Sequence, residues 1–298
     1  MDVVLAFDFG GTKVAAALAD YQGQLLVQDQ VESLKSGGME FLKTVISCGQ
    51  GLLARVDGAN LVSIGIGMCG AVTGDHVELA PNLYGMEKLN LCAIMTDAFH
   101  VPAHMENDVK AAALAELHRG ELKGTDYGLY VNFGTGVSVG LTCGDHVMRG
   151  HNGASGEIAY LMQNRNDKSA YQSGHASFEE FASGSGIARR ASDHFGKPLS
   201  TKMVFELARN DEDYRAFIDE AASEIGYQIA NLAIIWNPQK IVMGGGMTAS
   251  FSMIQEAIEE RLNQCVPYPP KLVLSHFQQN AGLYGAAELA LIATGAKD

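Results

Sequence analysis

Positive charge is scarce in this sequence. Its 298 residues hold 21 Lys and Arg against 34 Asp and Glu, a formal net charge of −13. So few cations leave no footprint for a phosphodiester backbone or an anionic lipid surface, which argues against nucleic acid and membrane as partners and for small molecules. Paired cysteines are missing as well: Cys48, Cys69, Cys92, Cys143 and Cys265 lie far apart, with no C-x-x-C. That usage fits a reduced compartment, with the thiols read as small buried hydrophobes. No segment approaches about 18 uninterrupted apolar residues, and the opening MDVVLAFDFG has no cationic run ahead of a long apolar one. Neither export nor a membrane span is predicted, so the expected location is cytoplasmic. Disorder is excluded by 47% hydrophobic and 18% charged residues. The length is near the limit of a single core and predicts two lobes.

Glycine is abundant, with 34 residues, many of them at the ends of apolar strands. Val3 to Phe7 is a β-branched, apolar run that stops at Asp8; Gly10, Gly11, Thr12 and Lys13 form a turn, and Val14 to Ala19 returns. Leu25 to Gln30 adds a third antiparallel strand. Helical spacing follows over Met39 to Val56, then a buried strand from Leu61 to Met68, a helix over Asn90 to Phe99, a strand over Val101 to Met105 and an alanine-rich helix over Asp108 to Leu117. Later helices are predicted over Glu179 to Phe195, Glu212 to Trp236, Met253 to Leu262 and Tyr284 to Ala293, with strands at Lys240 to Met243 and Lys271 to Ser275.

The first hairpin has an echo. LAFDFGGTKVAAAL (5–18) aligns without gaps on LYVNFGTGVSVGL (129–141), with Phe9 over Phe133 and Gly10 over Gly134. Strand, glycine turn and strand occur twice, which predicts related lobes, each presenting a glycine hairpin to a common cleft. A third glycine turn, Gly244, Gly245 and Gly246, ends another strand. Each turn alone is also what a plain β-turn looks like; the repetition gives them weight. Backbone N–H groups in such turns can hold phosphate oxygens, so an acidic protein can still bind ATP. Lys13 adds a point charge, Thr12 and Thr135 add hydroxyls, and Asp8 can hold Mg²⁺ through its water shell. The P-loop pattern is absent. Gly65, Gly67 and Gly70 spell G-x-G-x-x-G, but AVTGDHVELAPN after them has no helical period, so close backbone approach or strand packing explains them better.

Phosphoryl transfer to a hydroxyl needs positioning, charge neutralisation and one carboxylate to accept the proton. Glu106, Asn107 and Asp108 fall where a strand gives way to a helix, where open α/β sheets place ligands. Asp108 there is either a helix cap or a base, and Asn107 offers a donor and an acceptor to sugar hydroxyls. GHNGASGE (150–157) and Glu179 form a second polar set, either solvated surface acids or acceptors for vicinal hydroxyls of a polyol. No G-x-S-x-G nucleophile motif is present.

Taken together, DFGGTK (8–13), PNLYG (81–85), ENDVKAAALAE (106–116), NFGTGV (132–137), GHNGASGEI (150–158), FEEFASG (178–184) and MGGGM (243–247) resemble the ROK family of sugar kinases, in the actin-like ATPase superfamily, along nearly the whole chain. The resemblance implies an α/β, two-lobed actin-like/ribonuclease H-like ATPase fold with a duplicated strand-hairpin-strand core. It implies an N-terminal lobe over 1–118 and a C-terminal lobe over 119–298, with the last helix, about 284–296, packing back on the first. ATP·Mg²⁺ would lie between the hairpins (Gly10, Gly11, Thr12, Lys13; Gly134, Thr135, Gly136), with Gly244 to Gly246 near the adenosine. Asp108 would be the base, Asn107, Glu157 and Glu179 would hold the hexose, and Gly70 would approach it through its backbone.

Departures qualify the analogy. The family's GEIGH reads GEIAY here, so Tyr160 stands where His usually binds sugar, and the cysteine cluster that follows is absent. A structural zinc is therefore not expected, and the usual hexose preference does not carry over. Lys110, and Met86 where Trp is common, are smaller departures. The repressor members carry an N-terminal helix-turn-helix, which is not seen ahead of the first strand here. The implied activity is ATP-dependent phosphorylation of a hexose or derivative at the 6-hydroxyl, in a homodimer; the alternative is an inert sugar sensor or scaffold of the same fold.

Overall fold

The computed structural model describes residues 1–33, 38–74, 76–79, 85, 86, 89–167 and 171–295. Pro81, Asn82, Leu83 and Tyr84 of the PNLYG motif lie outside them. The chain divides into two compact units: Met1–Gly120, His146–Ser155 and Asn280–Asp298 form unit 1; Glu121–Asp145 and Gly156–Gln279 form unit 2.

Unit 1 opens with an antiparallel meander, β1 (Asp2–Phe9), β2 (Lys13–Ala19) and β3 (Leu25–Glu32), followed by α1 (Gly38–Leu53) and β4 (Asn60–Met68). A short hairpin, β5 (Ala71–Thr73) and β6 (His76–Leu79), precedes α2 (Leu91–Phe99), β7 (Ala103–Asn107) and α3 (Asp108–Arg119). The sheet order is β3-β2-β1-β4-β7. Central strands covered on both faces read as continuous apolar runs rather than alternating ones, and β1 is such a run. Its odd residues Val3, Leu5, Phe7 and Phe9 join a core with Phe41, Leu42 and Met95. Val4 and Ala6 face the other way, onto Ala286, Ala287 and Ala290.

Unit 2 contains β8 (Tyr127–Phe133) and β9 (Val137–Cys143), after which β10 (His146–Val147) lies in the segment that returns to unit 1. Helices α4 (Ser177–Ala182), α5 (Gly184–Phe195), α6 (Thr201–Leu207) and α7 (Glu212–Trp236) follow, then β11 (Lys240–Gly244), α8 (Gln255–Cys265) and β12 (Lys271–Leu274). The unit 2 strands lie in the order β9-β8-β11-β12. The last helix, α9 (Ala281–Ala293), belongs to unit 1.

Three sequence expectations need correction. Glu179 to Phe195 is two helices, because Ser183 is extended (φ −74°, ψ 168°) and its hydroxyl caps α5 through the N–H of Gly186. Met253 to Leu262 begins later as α8, preceded by a 3-10 segment over Gly246–Met253. The echo also needs a gap. Leu5 pairs with Leu18 and Phe9 with Val14, whereas Leu129 pairs with Leu141 and Phe133 with Val137. The second turn is therefore one residue shorter, and the first has room for an extra residue that ends in Lys13.

Candidate active site

Asp8 lies one residue before the end of β1, opposite Gly67 of β4. Gly67 in turn pairs with Glu106 of β7. A Cβ on Gly67 would stand 3.5 Å from Asp8 Oδ1 and 3.6 Å from the Asp108 Cα, ordinary contact distances that place both acidic residues beside this one strand end. Cys69 records their proximity: burial first, then the charges of Asp108 and Asp8, push its thiol up to about 12. Gly65 serves backbone packing, as a Cβ there would fall 1.8 Å from the Ala286 carbonyl oxygen of α9. After Gly70 the chain continues into β5 and not a helix, so the dinucleotide turn is absent.

Asn107 is the cap of α3. Its Oδ1 accepts the N–H groups of Val109 at 3.1 Å and Lys110 at 3.0 Å. Its Nδ2 donates to the Gly70 carbonyl at 2.9 Å and to Asp108 Oδ1 at 3.1 Å. The cap alternative for Asp108 therefore passes to its neighbour. Asp108, the first residue of α3, has Oδ1 oriented by Asn107 and by the Val109 N–H at 2.9 Å. Gly70 adopts φ +112°, a region that favours glycine, and this places its carbonyl on Asn107. Lys110 is buried at 1% exposure.

In the first hairpin turn the Gly10 N–H donates to Lys13 O at 3.0 Å. Ser33 fastens the turn from outside, donating from N to Thr12 O at 3.0 Å and from Oγ to Gly10 O at 3.1 Å. The N–H groups of Gly11 and Thr12 are exposed and make no hydrogen bond among the described residues, so they are available to an anion. Lys13 Nζ meets Gln30 Oε1 at 3.0 Å. Burial pushes the Asp8 carboxyl up to about 6, against the opposing charge of Lys13. A desolvated carboxylate at a strand end is a group whose charge a hydrated divalent cation such as Mg²⁺ would meet through its water shell.

Unit 2 repeats the turn. Gly134 N–H donates to Gly136 O at 3.0 Å, and the start of α5 holds the outer carbonyls: Gly184 N–H to Gly134 O at 2.9 Å, Ser185 N–H and Oγ to Thr135 O at 3.1 and 2.7 Å. The N–H groups of Thr135 and Gly136 remain without a partner among the described residues. Glu179, in α4, leans on this turn. Its Oε2 accepts the Val137 N–H at 3.1 Å, and a Cβ on Gly136 would meet that oxygen at 2.4 Å. Burial raises the Glu179 carboxyl, opposed by the Val137 hydrogen bond.

Glu157 precedes a 3-10 turn over Ile158–Tyr160. Tyr160 is 41% exposed, with its ring edge-on to Tyr171 at 5.4 Å. Its phenol is raised by burial and then by the charges of Glu157 and Glu179, so the three belong to one cluster within unit 2. His175 is held by Glu180, Nδ1 to Oε1 at 2.9 Å. Of the third glycine turn, Gly244 packs on Tyr130, Gly245 takes φ +87° against the Phe133 carbonyl, and Gly246 is open. Sequence reasoning missed Arg149, which is paired with Glu106. A lone arginine 43 positions away gives no local signal.

A repeated strand-hairpin-strand on two α/β sheets, with a carboxylate at a strand end, defines the actin-like ATPase fold. A hexokinase of the ROK family from Thermus thermophilus matches 99% of this chain and 100% of its own, at a TM-score of 0.82 and 28% identity. The ROK family model matches residues 4–293, so this chain belongs to the ROK family. Among curated relatives, a protein named glucokinase from Halalkalibacterium halodurans is 27% identical over 276 residues, covering 85% of this chain and 83% of its own. An N-acetylmannosamine kinase from Shigella flexneri is 27% identical over 289 residues, covering 96% and 98%.

Proposed function

We propose that this protein is a sugar kinase that transfers the γ-phosphoryl group of ATP in line to a hydroxyl of a hexose or hexose derivative, the 6-hydroxyl in this reading. Asp108 accepts the proton as the sugar oxygen attacks γ-phosphorus; the bond to the bridging oxygen breaks and ADP leaves. The observation that carries this role is the division of labour at the β7–α3 junction. Asn107 is the cap residue, accepting the Val109 and Lys110 N–H groups, and Asp108 Oδ1 is oriented by the Asn107 amide and by the Val109 N–H that the two residues share.

In this reading the unpartnered N–H groups of Gly11, Thr12, Thr135 and Gly136, with Lys13, receive phosphate oxygens. Glu157, Glu179 and Tyr160 in unit 2 and Asn107 and Gly70 in unit 1 serve the sugar. Mg²⁺, bound with the nucleotide and held through water by Asp8, would offset phosphate charge. Support for the substrate class comes from relatives named glucokinase and N-acetylmannosamine kinase. Tyr160 leaves the particular hexose open to a panel.

The test is coupled ADP release over a panel of hexoses, amino sugars and glucosides, with wild type and Asp108→Asn. Wild type turns over at least one sugar. The variant keeps its fold and sugar binding but loses turnover by about 10²–10⁴-fold, the range of general base removal. An inert wild type that still binds sugar would identify a sensor instead, and near-normal Asp108→Asn turnover would remove the base.

A further inference from the structure

Glu106 lies two residues before the proposed base and is 6% exposed. A carboxylate so buried must have its charge met by donors. Both of its oxygens are used. Oε1 accepts the Asn107 N–H at 2.9 Å, and Oε2 is paired with Nε of Arg149. Glu106 thereby fixes the Asn107 main chain, whose side-chain Nδ2 donates onward to Asp108 Oδ1 at 3.1 Å and to the Gly70 carbonyl at 2.9 Å. Four residues, Arg149, Glu106, Asn107 and Asp108, thus form one hydrogen-bonded line within unit 1.

The far end of the line is also fixed. Arg149 O accepts the Ser155 N–H at 3.1 Å, and the Ser155 hydroxyl donates to Met148 O. Gly150 at φ +73° turns the chain inside this closure. Arg149 therefore sits at the hydrogen-bonded base of the 149–155 loop. Its side chain is 63% exposed while that of Glu106 is buried, an unequal pair. The pairing meets the charge of the buried carboxylate and fixes its direction at the strand end.

We infer that Glu106 and Arg149 are positioning residues: together they hold the Asn107 main chain and, through the side chain it carries, the Asp108 carboxylate in the orientation the reaction uses. The inference rests on the kinase reading above. Removing either partner leaves Asp108 in place but lets its rotamer relax, so turnover falls while nucleotide binding does not.

Steady-state kinetics of wild type, Glu106→Gln, Arg149→Met and the double variant, with thermal melting of each, test this. Each single variant is expected to lose about tenfold or more in kcat with the KM for ATP within about twofold of wild type, and the double variant no more than the worse single, as for residues acting as a unit. Arg149→Lys keeps the charge at an exposed site and folds, but lacks the planar fork, so its kcat is expected to fall about threefold or more and less than that of Arg149→Met. Single variants within twofold in kcat, losses that multiply in the double, or an effect confined to melting would overturn the positioning role. If Met or Gln variants fail to fold, Arg149→Lys decides alone: an unchanged kcat overturns it. A wild type that releases no ADP with any sugar overturns the kinase reading and this role together; an active wild type with unaffected variants overturns only this role.

Discussion

Asp8 shows at the scale of one residue how a buried carboxylate works against the stability of its own fold. Its folded carboxyl, raised by burial to about 6 from 3.8, binds a proton more tightly than the unfolded chain does. The stability it contributes is full below about 4 and is lost as pH rises through about 6, so at pH 8 the ionised group costs on the order of 1–3 kcal/mol. Asp8→Asn is therefore expected to raise the melting temperature of the nucleotide-free protein at pH 8, with the gain vanishing at pH 4. The same variant is expected to lose the thermal shift that ATP with Mg²⁺ gives the wild type. Fluorimetric melting at both pH values checks this, and a variant that melts earlier at pH 8 contradicts it. Glu179 follows the same logic more mildly, since burial raises it and the Val137 N–H opposes that rise. The strand end at Asp8, the helix start at Asp108 and the two hairpin turns were legible in the sequence because these are local patterns. That Asn107 is the cap of α3 and Asp108 its first residue was not legible, because both residue types cap helices and only the structure shows which takes the cap position.

At the scale of elements, α9 reaches β4 and α3 through glycines. A Cβ on Gly285 would lie 2.2 Å from the Ala111 carbonyl carbon, and one on Gly65 would lie 1.8 Å from the Ala286 carbonyl oxygen. These are backbone contacts, so no rotamer change relieves them. Gly285→Ala and Gly65→Ala are each expected to cost about 1–3 kcal/mol or more, by analogy with overpacked cores. Gly51 in α1 meets nothing within 4 Å, so Gly51→Ala is expected to stabilise by about 0.5–1 kcal/mol through helix propensity. Urea midpoints of the three variants decide, and a tolerated Gly285→Ala would mean that the helices separate easily. Such helix contacts explain which elements the sequence revealed. The helix Glu212 to Trp236 was read to the residue because its period is long and Asp211 caps it. Thr201–Leu207 is too short for a period, and the break at Ser183 is a single extended residue inside a helical pattern. The echo was visible through Phe and Gly, but its one-residue gap became apparent only in the strand register.

At the scale of the whole chain, the last helix is tied to residues about 170 positions earlier. Glu288, 4% exposed, accepts from Arg119 Nε at 2.6 Å and meets His118 Nδ1 at 2.8 Å, while Arg119 also donates through Nη1 to Gln22 O at 2.7 Å. One carboxylate so closes unit 1 across α9, α3 and the turn after β2. Burial by itself would raise the Glu288 carboxyl, but the hydrogen bonds from His118 and Arg119 outweigh it and hold the group below its ordinary 4.5. A depressed folded value means that the contribution is present above about 4.5 and is lost as pH falls through the folded value. Glu288→Gln is accordingly expected to destabilise unit 1 at pH 7 by on the order of 1–3 kcal/mol, since Arg119 loses its charged partner but is 24% exposed and can be hydrated. The difference from wild type should shrink steadily below pH 4.5. Denaturation at pH 7, 5 and 3.5, with amide exchange read in β1 and β4, measures both the size and the pH course. A gap between the two proteins that widens in acid would mean that the carboxylate is not held in its ionised form, and that α9 is retained in unit 1 by its apolar face on Val4 and Ala6 instead.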